Sequence, residues 1–128
     1  MEQSAESNQN ILYGVFDELE KRAHEFVLRP GKDFIGRRKL PFAETLKTIS
    51  ILEGNSLDKE LCDIHNIKGD KPFISKSTFV QRRGKIKHEA FEEAFRMFNA
   101  KTSINDLNLF KGHRLLAIDG SDVNIALN

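Results

Sequence analysis

Apolar residues recur every three or four positions through most of the first hundred residues, the spacing that places side chains on one face of an α-helix. A first helix is predicted over residues 11–28, with an apolar stripe of Leu12, Val15, Phe16, Leu19, Ala23, Phe26 and Val27. Arg29-Pro30-Gly31 breaks this helix, because proline lacks an amide donor and glycine favours turns. The mostly polar first residues predict a disordered N-terminus over residues 1–8.

Two shorter helices are predicted next. Pro41 suits the first turn of a second helix, which ends at Gly54-Asn55 and carries the apolar residues Phe42, Leu46, Ile49 and Leu52. Ser56 is a favourable N-cap for a third helix, with Asp58 and Glu60 near its positive end. The residues of the third helix predicted to face inward are Leu57, Leu61 and Ile64.

Residues 74–98, ISKSTFVQRRGKIKHEAFEEAFRMF, predict two further helical segments. In the first, one face at positions i, i+3, i+4 and i+7 carries Thr78, Gln81, Arg82 and Lys85, and the opposite side carries Phe79, Val80 and Ile86. This helix is expected to end or bend at Gly84, since glycine costs a helix about 1 kcal/mol relative to alanine. The second segment has a stripe predicted to be core: Ile86, Ala90, Phe91, Ala94, Phe95 and Phe98.

The last residues, HRLLAIDGSDVNIALN, have a pattern that predicts β-structure, whereas the pattern of the residues before them predicts helices. The apolar run 115–118 is typical of a strand buried on both faces, and Val123, Ile125 and Leu127 alternate as a half-buried partner would. Asp-Gly between two such runs is a strong hairpin signal. Asp119 therefore has two interpretations, a turn former or a carboxylate that ligates Mg²⁺ at the end of a central strand. The spacing of apolar residues does not distinguish between these two interpretations of Asp119.

Composition predicts a cytoplasmic protein with one sizeable core. The 128 residues are 39% hydrophobic and 30% charged, which is ordinary for a soluble globular chain. The single cysteine allows no internal disulfide, the start MEQSAESNQN has no secretory signal pattern, and no apolar run approaches the roughly 20 residues that span a bilayer. We therefore expect no membrane partner.

The distribution of charge is more informative than the net charge of +1. Residues 29–39 hold five Lys and Arg against one Asp, and residues 75–88 hold five Lys and Arg with no Asp or Glu. Basic blocks segregated from the acids are the expected footprint of phosphate contact. The loop residues Arg37, Arg38 and Lys39 suit contact with a nucleic-acid backbone, without sequence preference.

The helix in residues 75–88 has the groups that contact DNA. A face that offers hydroxyl, amide, guanidinium and ammonium groups can hold phosphates and read base edges in a major groove. The DNA-binding residues predicted there are Ser77, Thr78, Gln81, Arg82 and Lys85. Together with the third helix it resembles a helix-turn-helix, although the connection of about nine residues exceeds the usual turn of 3–4. The alternative is an ordinary surface helix with solvated cations.

Cys62 and His65 lie three positions apart on the third helix and could be half of a metal site. Zinc needs about four ligands, and the chain has no second cysteine. A buried thiol and a surface histidine is the preferred interpretation.

Four motifs in order carry a resemblance to a known family: GRRKLPF, SLDKEL, ISKSTFVQRRGKIKHEAFEEAF and HRLLAIDGSDVNI. Over roughly residues 36–127 the chain resembles the N-terminal part of bacterial insertion-sequence transposases of the DDE type. The resemblance implies that the AIDGS strand is the first strand of a ribonuclease-H-like catalytic domain, and that Asp119 is the first member of its Asp-Asp-Glu metal triad. It also implies that the helical region binds DNA at transposon ends.

The expected fold is mainly α: a helical DNA-binding domain over residues 9–100, a linker over 101–112, and the first β-hairpin of an incomplete ribonuclease-H-like α/β domain over 113–128. In the complete family the triad holds two Mg²⁺ ions for strand cleavage and transfer. The chain has nine residues after Asp119, too few to supply the other two carboxylates, so we expect no activity and no tightly bound metal.

Two expectations concern the tail and its partners. The hairpin is expected to pair with that of a second copy or to stay loosely ordered, because an isolated two-stranded hairpin is marginal in water and has a free edge. The alternative function is a small helix-turn-helix-like DNA-binding regulator that dimerises through this hairpin.

Overall fold

A computed structural model describes residues 2–36, 40–69, 73–105 and 111. Its helices are α1 (Glu2–Glu20), a 3₁₀ turn (Ala23–Glu25), α2 (Phe42–Ser50), α3 (Leu57–Lys68), α4 (Lys76–Arg83) and α5 (Glu89–Asn105). The prediction of a mainly helical protein is confirmed. The predicted hairpin at 113–128 lies outside the described residues. None of the helices in the described ranges is long and apolar enough to cross a membrane.

The first helix differs from its prediction at both ends. α1 begins at Glu2, well before the predicted stripe, and ends at Glu20 instead of continuing to residue 28. Phe26 and Val27 are still buried, because the chain leaves the helix through the 3₁₀ turn and folds back onto the core. Val27 pairs with Ile86 in an isolated antiparallel bridge, in which Lys87 N donates to the Phe26 carbonyl at 2.8 Å.

The larger hydrophobic core lies between α1, α2 and α5. The buried residues of this main core are Val15, Phe16, Leu19, Phe26, Val27, Phe42, Ala43, Leu46, Ala90 and Ala94. Most of the positions predicted from the stripes of α1 and α2 are therefore confirmed as core. Burial of an aliphatic or aromatic side chain is worth about 1.5–3 kcal/mol, so this cluster dominates the stability of the fold.

A second core joins α2, α3 and α4. Leu40, Leu61 and Phe79 are buried in it, and the residues packed around them are Ile49, Leu52, Leu57 and Ile74. Because α2 contributes to both cores, it is covered on two sides. Its buried threonines satisfy their hydroxyls within the helix, Thr45 donating to the Pro41 carbonyl at 2.8 Å and Thr48 to the Glu44 carbonyl at 2.7 Å.

A buried carboxylate accepts hydrogen bonds from the backbone of the turn between α2 and α3. Ser56 is the N-cap residue of α3, as predicted, but its side chain makes no capping hydrogen bond. Glu60 is buried and its Oε1 accepts from the backbone amides of Glu53 at 3.1 Å and Asn55 at 2.6 Å. A charged acceptor on two amides gives stronger hydrogen bonds than a neutral one, so Glu60 fixes the angle at which α3 leaves α2.

The apolar stripe predicted for α5 is wrong in part. Ala90 and Ala94 are buried in the main core, but Phe91 is exposed and Phe95 is 71% exposed. Residues 90 and 94 lie about 100° around the helix from residues 91 and 95, so only one pair can face α1. The helix turns its alanines inward, and the larger phenylalanine rings lie outside the contact.

Candidate nucleic-acid interface

Local sequence sets both ends of α4. At its N-terminus, the Ser75 hydroxyl oxygen accepts from the backbone amide of Thr78 at 3.3 Å, as an N-cap serine should. At its C-terminus, Gly84 is the cap residue, and its amide donates to the Val80 carbonyl at 3.0 Å. The predicted break at Gly84 is therefore confirmed, and α4 is a helix of eight residues.

The exposed side of α4 is rotated relative to the sequence prediction. Phe79 is fully buried and Arg82 is 6% exposed, so these two residues face the protein. Val80, which was predicted to pack inside, is 41% exposed. We define the outer face of α4 as its five exposed residues: Lys76, Ser77, Val80, Gln81 and Arg83. The prediction that Arg82 lies on an exposed face is wrong.

Arg82 is held inside by the chain that precedes α2. Its Nε and Nη2 donate to the Leu40 carbonyl at 3.0 and 2.7 Å. Its guanidinium carbon lies 4.3 Å from the centroid of the Phe34 ring, within the range of a cation–π contact. A buried guanidinium needs such partners, since an unpaired buried charge is costly.

Thr78 and Lys85 are also less exposed to solvent than predicted. Thr78 is half-buried, and its hydroxyl accepts from the Ser75 hydroxyl at 2.9 Å. Lys85 lies beyond the end of α4, with its Nζ 3.8 Å from the buried carboxylate of Asp33. Asp33 also accepts from the Arg29 amide at 3.0 Å and from its guanidinium at 3.3 Å. The ion pairs of Asp33 with Arg29 and Lys85 therefore connect the segment before α2 to the residues that follow α4.

Ser77 and Gln81 lie on the outer face, where the sequence predicted accessible side chains. Arg83 lies on the same face and was not among the predicted contacts. Its guanidinium carbon is 5.6 Å from the Phe79 ring centroid, so the aliphatic stem crosses the edge of the second core while the residue stays exposed. Treating Val80 as a core residue rotated the predicted face. Arg83 lies only about 40° around the helix from the buried Phe79, so spacing alone would not have predicted that it is exposed.

The outer face of α4 carries two cations and no carboxylate. Lys76 lies 3.8 Å from the exposed carboxylate of Asp58 on α3, a separation that solvent screens strongly. Arg83 has no ion-pair partner among the residues that the structure describes. A face of this kind attracts a polyanion.

Arg22, which follows α1, and Arg96 on α5 differ from Arg83, because each forms a close ion pair with a carboxylate. Arg96 donates to Glu93 at 2.6 and 2.9 Å, and this hydrogen bond lowers the pKa of the Glu93 carboxyl. Arg22 contacts Glu25 at 2.8 Å and lowers the pKa of that carboxyl in the same way. Helices α1 and α5 together have more Asp and Glu than Lys and Arg, whereas the outer face of α4 has cations and no carboxylate.

Four of the predicted site residues lie outside the described residues: Arg37, Arg38, Lys39 and Asp119. Within the described ranges, no group of three His, Cys, Asp or Glu side chains is arranged to hold a metal ion. The metal role of Asp119 therefore stays an expectation that rests on the resemblance alone.

The burial of Cys62 and His65 on α3 is the reverse of the preferred interpretation, which was a buried thiol and a surface histidine. Cys62 is exposed, and His65 is half-buried with its ring edge-on to Phe73 at a centroid distance of 5.6 Å. The buried Nδ1 of His65 has no hydrogen-bond partner among the residues that the structure describes. The helix turns Leu61 into the second core, which leaves its neighbour Cys62 outside.

No protein-family model, no curated protein and no solved structure matches this chain. The likeness to DDE transposases consequently depends on the four quoted motifs. The geometry of α4 is an independent argument, because it concerns the groups presented to solvent and not their similarity to another sequence.

Proposed function

We propose that this chain is the DNA-binding part of a DDE-type transposase, which acts in the cytoplasm and binds transposon ends for metal-dependent strand cleavage and transfer. The observation that carries the DNA-binding part is the outer face of α4, which has hydroxyl, amide, ammonium and guanidinium groups without a carboxylate. The transposase part rests on the quoted motifs.

The dimensions of α4 suit a major groove. An α-helix with its side chains is about 10–12 Å in diameter, which fits the major-groove width of about 12 Å, and the eight residues of α4 make it about 12 Å long. In this arrangement Ser77 and Gln81 read base edges, and Lys76 and Arg83 contact phosphates on either side. Val80 adds an apolar surface for a thymine methyl group.

The second core supports α4 as a recognition helix. Phe79 fixes α4 against α2 and α3 from the inner side, so the outer face is presented by a rigid element and not by a loop. Residues 69–75 connect α3 to α4, which is longer than the turn of a compact helix-turn-helix. We therefore propose an extended variant of that motif, in which α2 packs beside α4 as well.

Arg83→Ala tests this proposal against a matched control. Loss of one phosphate contact should make the slope of log affinity against log salt shallower by about 1. Arg96→Ala removes another exposed arginine, one paired with Glu93 on α5, and should leave the slope unchanged. Fluorescence anisotropy with a labelled duplex over a series of salt concentrations measures both. Equal effects of the two variants would contradict the assignment of α4 as the interface.

The purified chain alone is expected to leave DNA intact in Mg²⁺ or Mn²⁺. In the family, metal-assisted displacement needs all three carboxylates around two ions, and Asp119 is the one member that the motifs identify. Gel analysis of supercoiled and linear substrates checks for nicking and joining. Metal-dependent cleavage that disappears in Asp119→Asn would contradict this expectation, while DNA binding without cleavage is consistent with the proposal.

A further inference from the structure

The side of α5 that points away from the main core carries a stripe of aromatic and polar side chains. We define the outer stripe of α5 as five positions that are alternately three and four residues apart and begin at the residue before the helix: His88, Phe91, Phe95, Phe98 and Thr102. The first three are exposed and the last two are half-buried. Exposed large aromatic side chains on one side of a helix are typical of an interaction surface.

The spacing of the outer stripe matches that of a helix packed lengthwise against another helix. Alternating steps of three and four average 3.5 residues, the period at which side chains of one helix fit between those of a neighbour that runs nearly alongside it. The stripe covers two such repeats, from residue 88 to residue 102. Since α5 turns Ala90 and Ala94 into the main core, the stripe is not used in packing against α1. Its pattern favours a helix as the partner.

The outer stripe is nearly symmetric about Phe95. Phe91 and Phe98 lie four positions before it and three positions after it, and the polar residues His88 and Thr102 lie seven positions to either side. When a second α5 runs antiparallel along the first with Phe95 opposite Phe95, rings face rings and polar residues face polar residues. An interface between identical copies requires such self-complementarity, because each contact of residue i with residue j occurs twice.

The charges beside the outer stripe are complementary under the same symmetry. Glu92 and Arg96 lie on one side of the stripe, about 80° and 120° around the helix from its centre. In an antiparallel pair this side of one copy meets the same side of the other copy, with the order of residues reversed. Glu92 of one copy then lies about 3 Å along the helix axis from Arg96 of the other, and this contact also occurs twice.

The side chains of Glu92 and Arg96 are accessible to a second copy. The Glu92 side chain is 74% exposed, and its carboxylate lies 3.9 Å from the His88 imidazole. The Arg96 side chain is 68% exposed, and its Nε and Nη2 donate to Glu93. A guanidinium has five N–H groups, so Arg96 can also donate to a second carboxylate.

We propose that α5 is a self-association surface, on which a second copy of this chain packs its own α5 antiparallel along the outer stripe. This inference does not depend on the proposed DNA-binding function. Seventeen residues make α5 about 25 Å long, so a contact about 10 Å wide covers about 250 Å² on each copy. Stable interfaces bury roughly 600 Å² or more on each partner. The dimer is therefore weak and forms at high protein concentration, whereas both hydrophobic cores lie within one chain.

Sedimentation equilibrium from micromolar to near-millimolar protein measures the dimer. The wild type should change from monomer to dimer over this range. Phe95→Ala should raise the dissociation constant by at least about tenfold, because both copies lose the central ring of the contact. Phe73→Ala is the matched control, since it removes an exposed phenylalanine that precedes α4, and it should leave the constant unchanged. Circular dichroism checks that both variants retain the helices of the wild type.

Charge variants test the antiparallel arrangement. Glu92→Arg and Arg96→Glu should each weaken the dimer about threefold or more, because like charges then meet at both contacts. An equimolar mixture of the two variants should associate more tightly than either variant by itself, since opposite charges meet again at both contacts. Arg83→Ala, which removes an exposed arginine from α4, should leave the dissociation constant at the wild-type value.

Three results would overturn the inference. A wild type that stays monomeric over the whole concentration range would mean that a second copy does not occupy the outer stripe. Dimers that persist in Phe95→Ala would form through another part of the chain, such as residues 113–128. A mixture of the two charge variants that associates no more tightly than either variant would exclude the antiparallel arrangement.

Discussion

Replacement of Phe79 with alanine is expected to lower the free energy of unfolding by about 3–5 kcal/mol, the usual cost of removing a buried phenylalanine. Phe79 is fully buried and packs with Leu40 and Leu61, so its loss opens a cavity between α2, α3 and α4. The free energy is measured by urea unfolding followed by circular dichroism. DNA affinity should fall with it, because α4 loses its attachment to the rest of the domain.

Phe95→Ala is the matched control for this prediction. Phe95 is 71% exposed, so the same change of side chain should alter the free energy of unfolding by no more than about 0.5 kcal/mol. A cost for Phe95→Ala that equals the cost for Phe79→Ala would mean that α5 buries the phenylalanine side of its surface, as periodicity alone suggested. The assignment of Ala90 and Ala94 as the contact would then be wrong.

Gln81→Ala is expected to remove about 1–3 kcal/mol of discrimination at one base pair, the usual value of a bidentate contact to a base edge. Gln81 is exposed at the centre of α4 and carries no charge, so affinity for random DNA and its salt dependence should stay unchanged. The preferred duplex is first selected from a random pool. Affinities for that duplex and for its single-base variants are then compared between wild type and Gln81→Ala.

Gln9→Ala serves as the control, because it removes an exposed glutamine from α1, where the side chain donates to the Tyr13 hydroxyl. It should change neither specificity nor affinity. If Gln81→Ala keeps the wild-type preference at every base pair, Gln81 does not read a base edge. The base-reading role that we assign to Gln81 would then be wrong.

The existence and approximate positions of the helices could be predicted from the spacing of apolar residues. α2 and α3 begin close to where Pro41 and Ser56 indicated, and α4 ends at Gly84, because these residues act on the neighbouring backbone. Local signals of this kind need no knowledge of the rest of the fold. The end of α1 at Glu20 was missed, since it depends on the bridge between Val27 and Ile86, far apart in the chain.

The orientation of the helices could not be predicted from spacing alone. In α4, the choice between Val80 and Arg82 as the inward residue depends on the Leu40 carbonyl, 42 positions from Arg82 in sequence. In α5, two faces of similar pattern compete, and only the partner helix decides between them. The candidate site changed with these choices, because Arg82 moved inside and Arg83 became an exposed cation.

Site-directed photocross-linking shows whether duplex DNA contacts the outer face of α4. The single cysteine, Cys62, is exposed and is first replaced with serine. Gln81→Cys and Phe95→Cys are then made separately in this background and labelled with a photoactivatable group. We expect cross-links to duplex DNA from position 81, competed away by unlabelled duplex, and none from position 95. Cross-links from position 95 without any from position 81 would contradict it.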